Sequence, residues 1–184
     1  MKILHIITRL DRGGSADNTL LTCIGQRRLG HEVTLVSGPG LSDESFLTAS
    51  ARAKGVDMIC LPSLVRAVEP LQDLRALIGL REIIQAERFD LIHTHTSKAG
   101  ILGRFAARLS GAPPVVHTPH GHVFYGYFGG LKTKLFIWAE KIMARWTDAI
   151  VTLTDREAEE HLALGVGRPG QFETIFSGIS MKPG

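Results

Sequence analysis

"FDLIHTHTSKAGILGRFAARLSGAPPVVHT", residues 89–118, decides the fold. "FDLIHTH" is short and largely apolar, as a buried strand is. "KAGILGRFAARLSG" repeats small and apolar residues at helical spacing and stops at Gly111. "PPVVHT" is a strand again. Strand, helix and strand joined by short connections make the unit that links two parallel strands.

The same alternation runs outward in both directions. Upstream, "KILHII" predicts a strand, "ADNTLLTCIGQRRLG" a helix stopped by Gly30, and "EVTLVS" a second strand. A polar helix from about Asp43 to Lys54, the strand "VDMICL" and a helix over Leu71–Ala86 follow. Downstream come a helix over Leu131–Trp146, the strand "DAIVTLT", the helix "DREAEEHLAL" after Thr154, and the strand "FETIF". Several strands are continuously apolar, which requires cover on both sheet faces. The expected fold is α/β: a doubly wound, mostly parallel, Rossmann-like sheet over 1–184 as a single domain. The one internal stretch that reads as a linker is "VFYGYFGG", 123–130.

Composition fits a soluble globular protein: 184 residues, 44% hydrophobic, 21% charged, net charge +3. A pI near 9.1 suits anionic ligands or a membrane surface. No long Lys/Arg block is present, so nucleic acid is not an expected partner. Cys23 and Cys60 lie in apolar surroundings and predict two reduced, buried thiols in a cytoplasmic protein. The apolar run of "MKILHIITRLDRGG" is too short for a signal peptide. No stretch approaches the ~20 apolar residues that span a bilayer.

Five of the eight histidines fall between His93 and His122. Strand ends of a parallel sheet share one carboxyl edge, where ligands bind. His93 and His95 close one strand, His117 the next, and His120 and His122 lie in the loop beyond. His93 and His95 share a face and could share a metal, but no cysteine or carboxylate at ligand spacing joins them. The other reading of His93 and His117 is strand histidines satisfied by hydrogen bonds inside the sheet. His120, between Pro119 and Gly121 in a turn, is a candidate ligand contact. In "RLDRGGSADN", Gly13 and Gly14 follow the first strand and open the first helix. Their N–H groups can approach an anion there, although a plain turn explains them equally and G-x-G-x-x-G is absent.

Taken in order, "ILHIITRLDRGGSADNTLL", "FDLIHTHTSKAGILGRFAARLSGAPPVVHTPHG" and "DAIVTLTDREAEEHL" resemble the N-terminal half of family-4 glycosyltransferases. These are retaining enzymes of the GT-B fold, and the closest likeness is to bacterial members that build surface polysaccharides on lipid carriers. The resemblance implies that Gly13 and Gly14 lie beneath the donor's diphosphate and that His120 is the catalytic histidine facing the donor sugar. It implies acceptor contacts at Lys98, with Arg9 and Arg12 as candidates for an acceptor phosphate; solvated loop arginines are the competing reading. It implies a nucleotide sugar as substrate, a glycan or lipid-linked acceptor, and no cofactor or metal.

The sequence departs from the family pattern at "IFSGIS", 175–180, where Phe176, Ser177 and Ser180 replace Pro, Asn and Asp of the usual I-P-N-G-V-D. The family's second, nucleotide-binding domain with its E-x7-E element is not within 1–184, so the chain reads as the acceptor-side half of a longer enzyme. The alternatives are half of a sugar-nucleotide epimerase, or a non-catalytic α/β binding module. The segment 123–146 combines Phe124, Tyr125, Tyr127 and Phe128 with Lys132, Lys134, Lys141 and Arg145. It is an expected peripheral contact with the inner face of a membrane. Its apolar spacing at Leu131, Leu135, Trp138, Ile142 and Trp146 is also what a helix covering a sheet needs.

Overall fold

The computed structural model describes residues 1–11, 13–40, 46–111, 113–121 and 130–177. Strands and helices alternate as β1 (Lys2–Ile7), α1 (Gly14–Arg28), β2 (Glu32–Ser37), α2 (Phe46–Ala53), β3 (Asp57–Cys60) and α3 (Pro70–Ala86). Then follow β4 (Leu91–His95), α4 (Ser97–Leu109), β5 (Val115–Thr118), α5 (Gly130–Ala144), β6 (Ala149–Thr152), α6 (Asp155–Ala163) and β7 (Phe172–Thr174). Every element expected from the sequence is present.

The strands form one seven-stranded sheet in the order β3-β2-β1-β4-β5-β6-β7. All six pairings are parallel, so "mostly parallel" becomes wholly parallel. Strand alternation sorts side chains onto two faces. One face carries Ile7, Val33 and Leu35, which pack with Leu20, Cys23 and Ile24 of α1 and Ala51 of α2. The other carries Leu4, Ile6, Val36, Ile92 and Val115, packed with Ala76, Leu80 and Ile84 of α3 and Ala99, Ala106 and Ala107 of α4. A smaller cluster of Ala144, Ile150 and Val166 joins α5 to β6.

The helix starts follow local chemistry. Pro70 opens α3, where its missing N–H costs nothing. Thr154 caps α6 by accepting from the N–H of Glu157. Helix α4 lies close on the sheet because it is built from small residues. A Cβ on Gly100 would come within 2.5 Å of the His117 ring, and one on Gly103 within 2.8 Å of Thr94. In that tight layer sits Arg104, its side chain 0% exposed, donating at 2.7 and 2.8 Å to both oxygens of Glu140 on α5.

One expectation fails, and one of two open readings loses ground. Cys60 is exposed while Cys23 is buried, and both are free. β3 is an edge strand, so one of its sides has no neighbour to cover the thiol. On α5, Leu135 and Trp138 are 63% and 60% exposed. The inward side is taken by Glu140, Met143 and Ala144, with Glu140 bonded to Arg104. The linker 123–129 and the loop aromatics lie outside the described residues, as do Arg12 and His122.

Candidate active site at the carboxyl edge

β1 and β4 are neighbours, yet the chain runs outward from them to opposite sides of the sheet. Such a switch in strand order opens a crevice beyond the two carboxyl ends, the usual place for a ligand. Here Thr8 and Thr96 bridge the crevice floor with their hydroxyls 3.2 Å apart. Thr96 (φ 62°) and His120 (φ 61°) are the only non-glycine residues with positive φ among the described residues. Each such backbone costs about 1–3 kcal/mol and persists only where its surroundings enforce it. Both stand on this edge, tied through the Thr96 N–H to the Thr118 carbonyl at 3.1 Å.

Below the crevice the α1 face of the sheet holds histidines instead of aliphatic residues. Register places His5 beside His93, and His95 two residues on shares their face. The rings crowd together: His5 stacks on His95 at 5.2 Å between centroids, while His5 and His93 at 5.0 Å, His93 and His95 at 4.2 Å, and His95 and His120 at 5.1 Å are tilted. They are also hydrogen-bonded in series. His5 Nε2 meets Gln26 Oε1 of α1 at 2.7 Å, His5 Nδ1 meets His95 Nε2 at 2.8 Å, and His95 Nδ1 meets His120 Nε2 at 2.9 Å. His93 Nε2 pairs with the Thr118 hydroxyl at 2.8 Å. His120 Nδ1 is buried without a partner. His117 points to the opposite face, where its Nδ1 donates to the Thr94 carbonyl at 3.1 Å. The sheet-satisfied reading therefore holds for His93 and His117.

Burial keeps this group neutral. It pulls His5 and His120 each down to about 4. Burial, reinforced by neighbouring imidazoles, holds His93 and His95 well below the ordinary value. Burial and then the Arg104 guanidinium do the same to His117. His5, His93 and His95 bring ring nitrogens within 4.8 Å of one another, a grouping a metal ion could use. No acidic side chain belongs to that set, and a dication among three neutral buried rings would carry uncompensated charge. His5 Nδ1 and His95 Nε2 are already turned on each other.

The turn that carries His120 is held from α6. Glu157 accepts from the Gly121 N–H at 3.0 Å and from the Leu153 N–H at 2.8 Å. Gly13 caps α1 and Gly14 begins it, with open space where a Cβ would stand on either. Arg9 is paired with Asp11 at 2.8 Å in the same loop. Lys98 is drawn to Asp73 of α3 at 2.5 Å and also donates to the Ala67 carbonyl, so its ammonium braces α4 against the loop before α3. Ser177, beyond β7, accepts from Asn18 of α1 at 2.8 Å, which returns the chain to the same edge. A shallow groove lined by Gly111, Val115, Asp148 and Arg168 opens at the opposite, amino edge, away from all of these residues.

Sequence reasoning found His120 and its edge but missed His5, Gln26, Thr8 and Glu157. The available signal was the lone histidine inside "KILHII", a polar group at a core position that needed a partner.

The chain matches a glycosyl transferase 4-like domain over residues 13–175. It is 38% identical over 146 residues to the Escherichia coli UDP-Gal:alpha-D-GlcNAc-diphosphoundecaprenol alpha-1,3-galactosyltransferase, covering 79% of this chain and 36% of that one. In solved structures its fold resembles the sucrose-phosphate synthase of Thermosynechococcus elongatus, with TM-score 0.71, 18% identity, and 95% of this chain against 47% of that chain. It equally resembles a UDP-N-acetylglucosamine 2-epimerase from Listeria monocytogenes, with TM-score 0.69, 16% identity, and 94% against 44%. The chain thus spans about a third of the curated relative and under half of each solved structure. With that match over most of its length, the chain belongs to the glycosyl transferase 4-like domain family.

Proposed function

We propose that the chain is the acceptor-side half of a glycosyltransferase that moves a hexose from a nucleotide sugar to a lipid-linked glycan, with retention. The observation that carries this reading is the 38% identity to a galactosyltransferase whose name specifies a diphosphoundecaprenol-linked GlcNAc acceptor. In the reaction, the bond from the sugar's C1 to the diphosphate oxygen breaks and a bond from C1 to an acceptor hydroxyl oxygen forms. The hydroxyl proton leaves with the diphosphate or through water. N–H groups at Gly13 and Gly14, at the start of α1, would meet the growing negative charge on the diphosphate. Neutral His120 would contact the donor sugar.

Two carboxylates at this edge, Asp11 and Glu157, are engaged with Arg9 and with backbone N–H groups. We propose a transfer without a protein nucleophile and without a resident metal. Lys98 contacts acceptor only if it releases Asp73, and Arg9 only if it releases Asp11. No helix among the described residues is long and apolar enough to cross a membrane. Exposed Leu135 and Trp138 beside Lys134 and Lys141 support peripheral docking of α5 on an inner membrane face, where a lipid-linked acceptor is held.

The test uses the full-length protein that carries this chain. It is given UDP-hexoses and an undecaprenyl-diphosphate GlcNAc, with products followed by mass spectrometry. A lipid product heavier by one hexose, with the donor's anomeric configuration, is expected. Conversion of the free UDP-sugar to its epimer without any lipid product would establish the epimerase reading. Tight binding of neither substrate would leave the non-catalytic one.

A further inference from the structure

We propose that Gln26 fixes the tautomer of His120 through a relay of imidazoles, so that His120 presents the lone pair of Nδ1, and not an N–H, to a hydroxyl of its ligand. The inference rests on the proposed sugar-binding role of this edge for the identity of the ligand, but not for the tautomers themselves.

The series Gln26–His5–His95–His120 has a definite polarity. A neutral imidazole has one N–H and one bare nitrogen. A chain of them joined head to tail therefore has only two protonation patterns: every ring protonated at Nε2, or every ring at Nδ1. The terminal group selects between them. Gln26 turns its carbonyl oxygen, an acceptor, to His5 Nε2 at 2.7 Å. His5 must then donate from Nε2 and accept at Nδ1. His95 Nε2 donates across the 2.8 Å contact and His95 Nδ1 accepts. His120 Nε2 donates across 2.9 Å. His120 Nδ1 is left as a lone pair, and it is the ring nitrogen that is buried and unpartnered. A buried acceptor without a donor costs about 1–3 kcal/mol, which a ligand hydroxyl would relieve on binding.

Burial favours neutral rings throughout the series, so the relay orients a hydrogen bond and does not store a proton. Three rings, His5, His95 and His120, separate Gln26 from the ligand, which it does not touch. It is a positioning residue.

The experiment is long-range ¹H–¹⁵N correlation on ¹⁵N-histidine-labelled full-length protein, with assignments from single His→Gln variants. Three neutral Nε2–H tautomers are expected at His5, His95 and His120. Gln26→Glu keeps an acceptor and should keep all three, while its charge moves the acid limb of the activity profile to higher pH. Gln26→Met removes the acceptor. It should mix the tautomers at all three rings and lower kcat about 10-fold or more with little change in the donor's KM. Nδ1–H tautomers in the unmodified protein would overturn the proposal, as would unchanged tautomers in Gln26→Met. Stoichiometric zinc bound to a ring nitrogen of His5 or His95 would overturn it too. If the tautomers are as expected and no sugar is transferred, the relay stands and the transferase reading falls. If activity is present with the opposite tautomers, the reverse holds.

Discussion

Mild acid should unfold this domain well before ordinary carboxylate protonation does. His5 and His120 are each lowered from 6.5 to about 4 by burial, and burial holds His93, His95 and His117 well below 6.5 as well. Between those values and 6.5 the unfolded chain binds protons that the folded chain refuses. Stability therefore rises with pH through this window, is fully present above about 6.5, and is lost as pH falls toward 4. Each group contributes a slope of up to about 1.4 kcal/mol per pH unit. His5 and His120 together give up to about 2.7 kcal/mol per unit, and the other three buried rings act in the same direction. Against a total stability of about 5–15 kcal/mol, this is enough to bring acid unfolding into the window between those lowered values and 6.5. Urea denaturation at fixed ionic strength, in steps from pH 7.5 to 4.5, measures the slope directly. His117→Leu, on the face away from the relay, should flatten it by about one proton's worth. A stability that is level between pH 7 and 5, or that rises on acidification, would refute the burial argument.

Three other outcomes are expected. Glu140→Ala leaves the Arg104 guanidinium buried without its carboxylate; it should lose about 3–5 kcal/mol in urea melts, while Arg104→Met with Glu140→Leu recovers most of that, and a loss below 1 kcal/mol would mean the pair is solvated. His120→Asn tolerates the left-handed backbone yet lacks the ring, so in the full-length enzyme kcat should fall about 100-fold or more with a small change in melting temperature; near-normal turnover would remove His120 from the site. Trp138→Ser with Lys134→Glu and Lys141→Glu should weaken co-sedimentation with anionic vesicles at low salt without altering binding to neutral ones; equal binding by both proteins would sink the membrane contact.

The sequence by itself determined the order of elements and the sheet class, because both follow from local periodicity and turn chemistry. "FDLIHTH", the small-residue helix and "PPVVHT" can only form a parallel crossover, and Thr154 announces α6 by its hydroxyl. It also placed His120 in a turn at the ligand edge, from Pro119 and Gly121 on either side. What only the tertiary structure decided are the long-range pairs. His5 and His95 are 90 residues apart and meet because β1 and β4 are adjacent at the switch in strand order. Gln26 joins them from the packed face of α1, and Glu157 reaches Gly121 across 36 residues. Spacing left α5 open to two readings, a sheet-covering stripe or a membrane contact; in the fold Glu140 meets buried Arg104 while Trp138 faces solvent. Periodicity tells how a segment is amphipathic. Which side a buried charge demands depends on a partner that the segment does not contain.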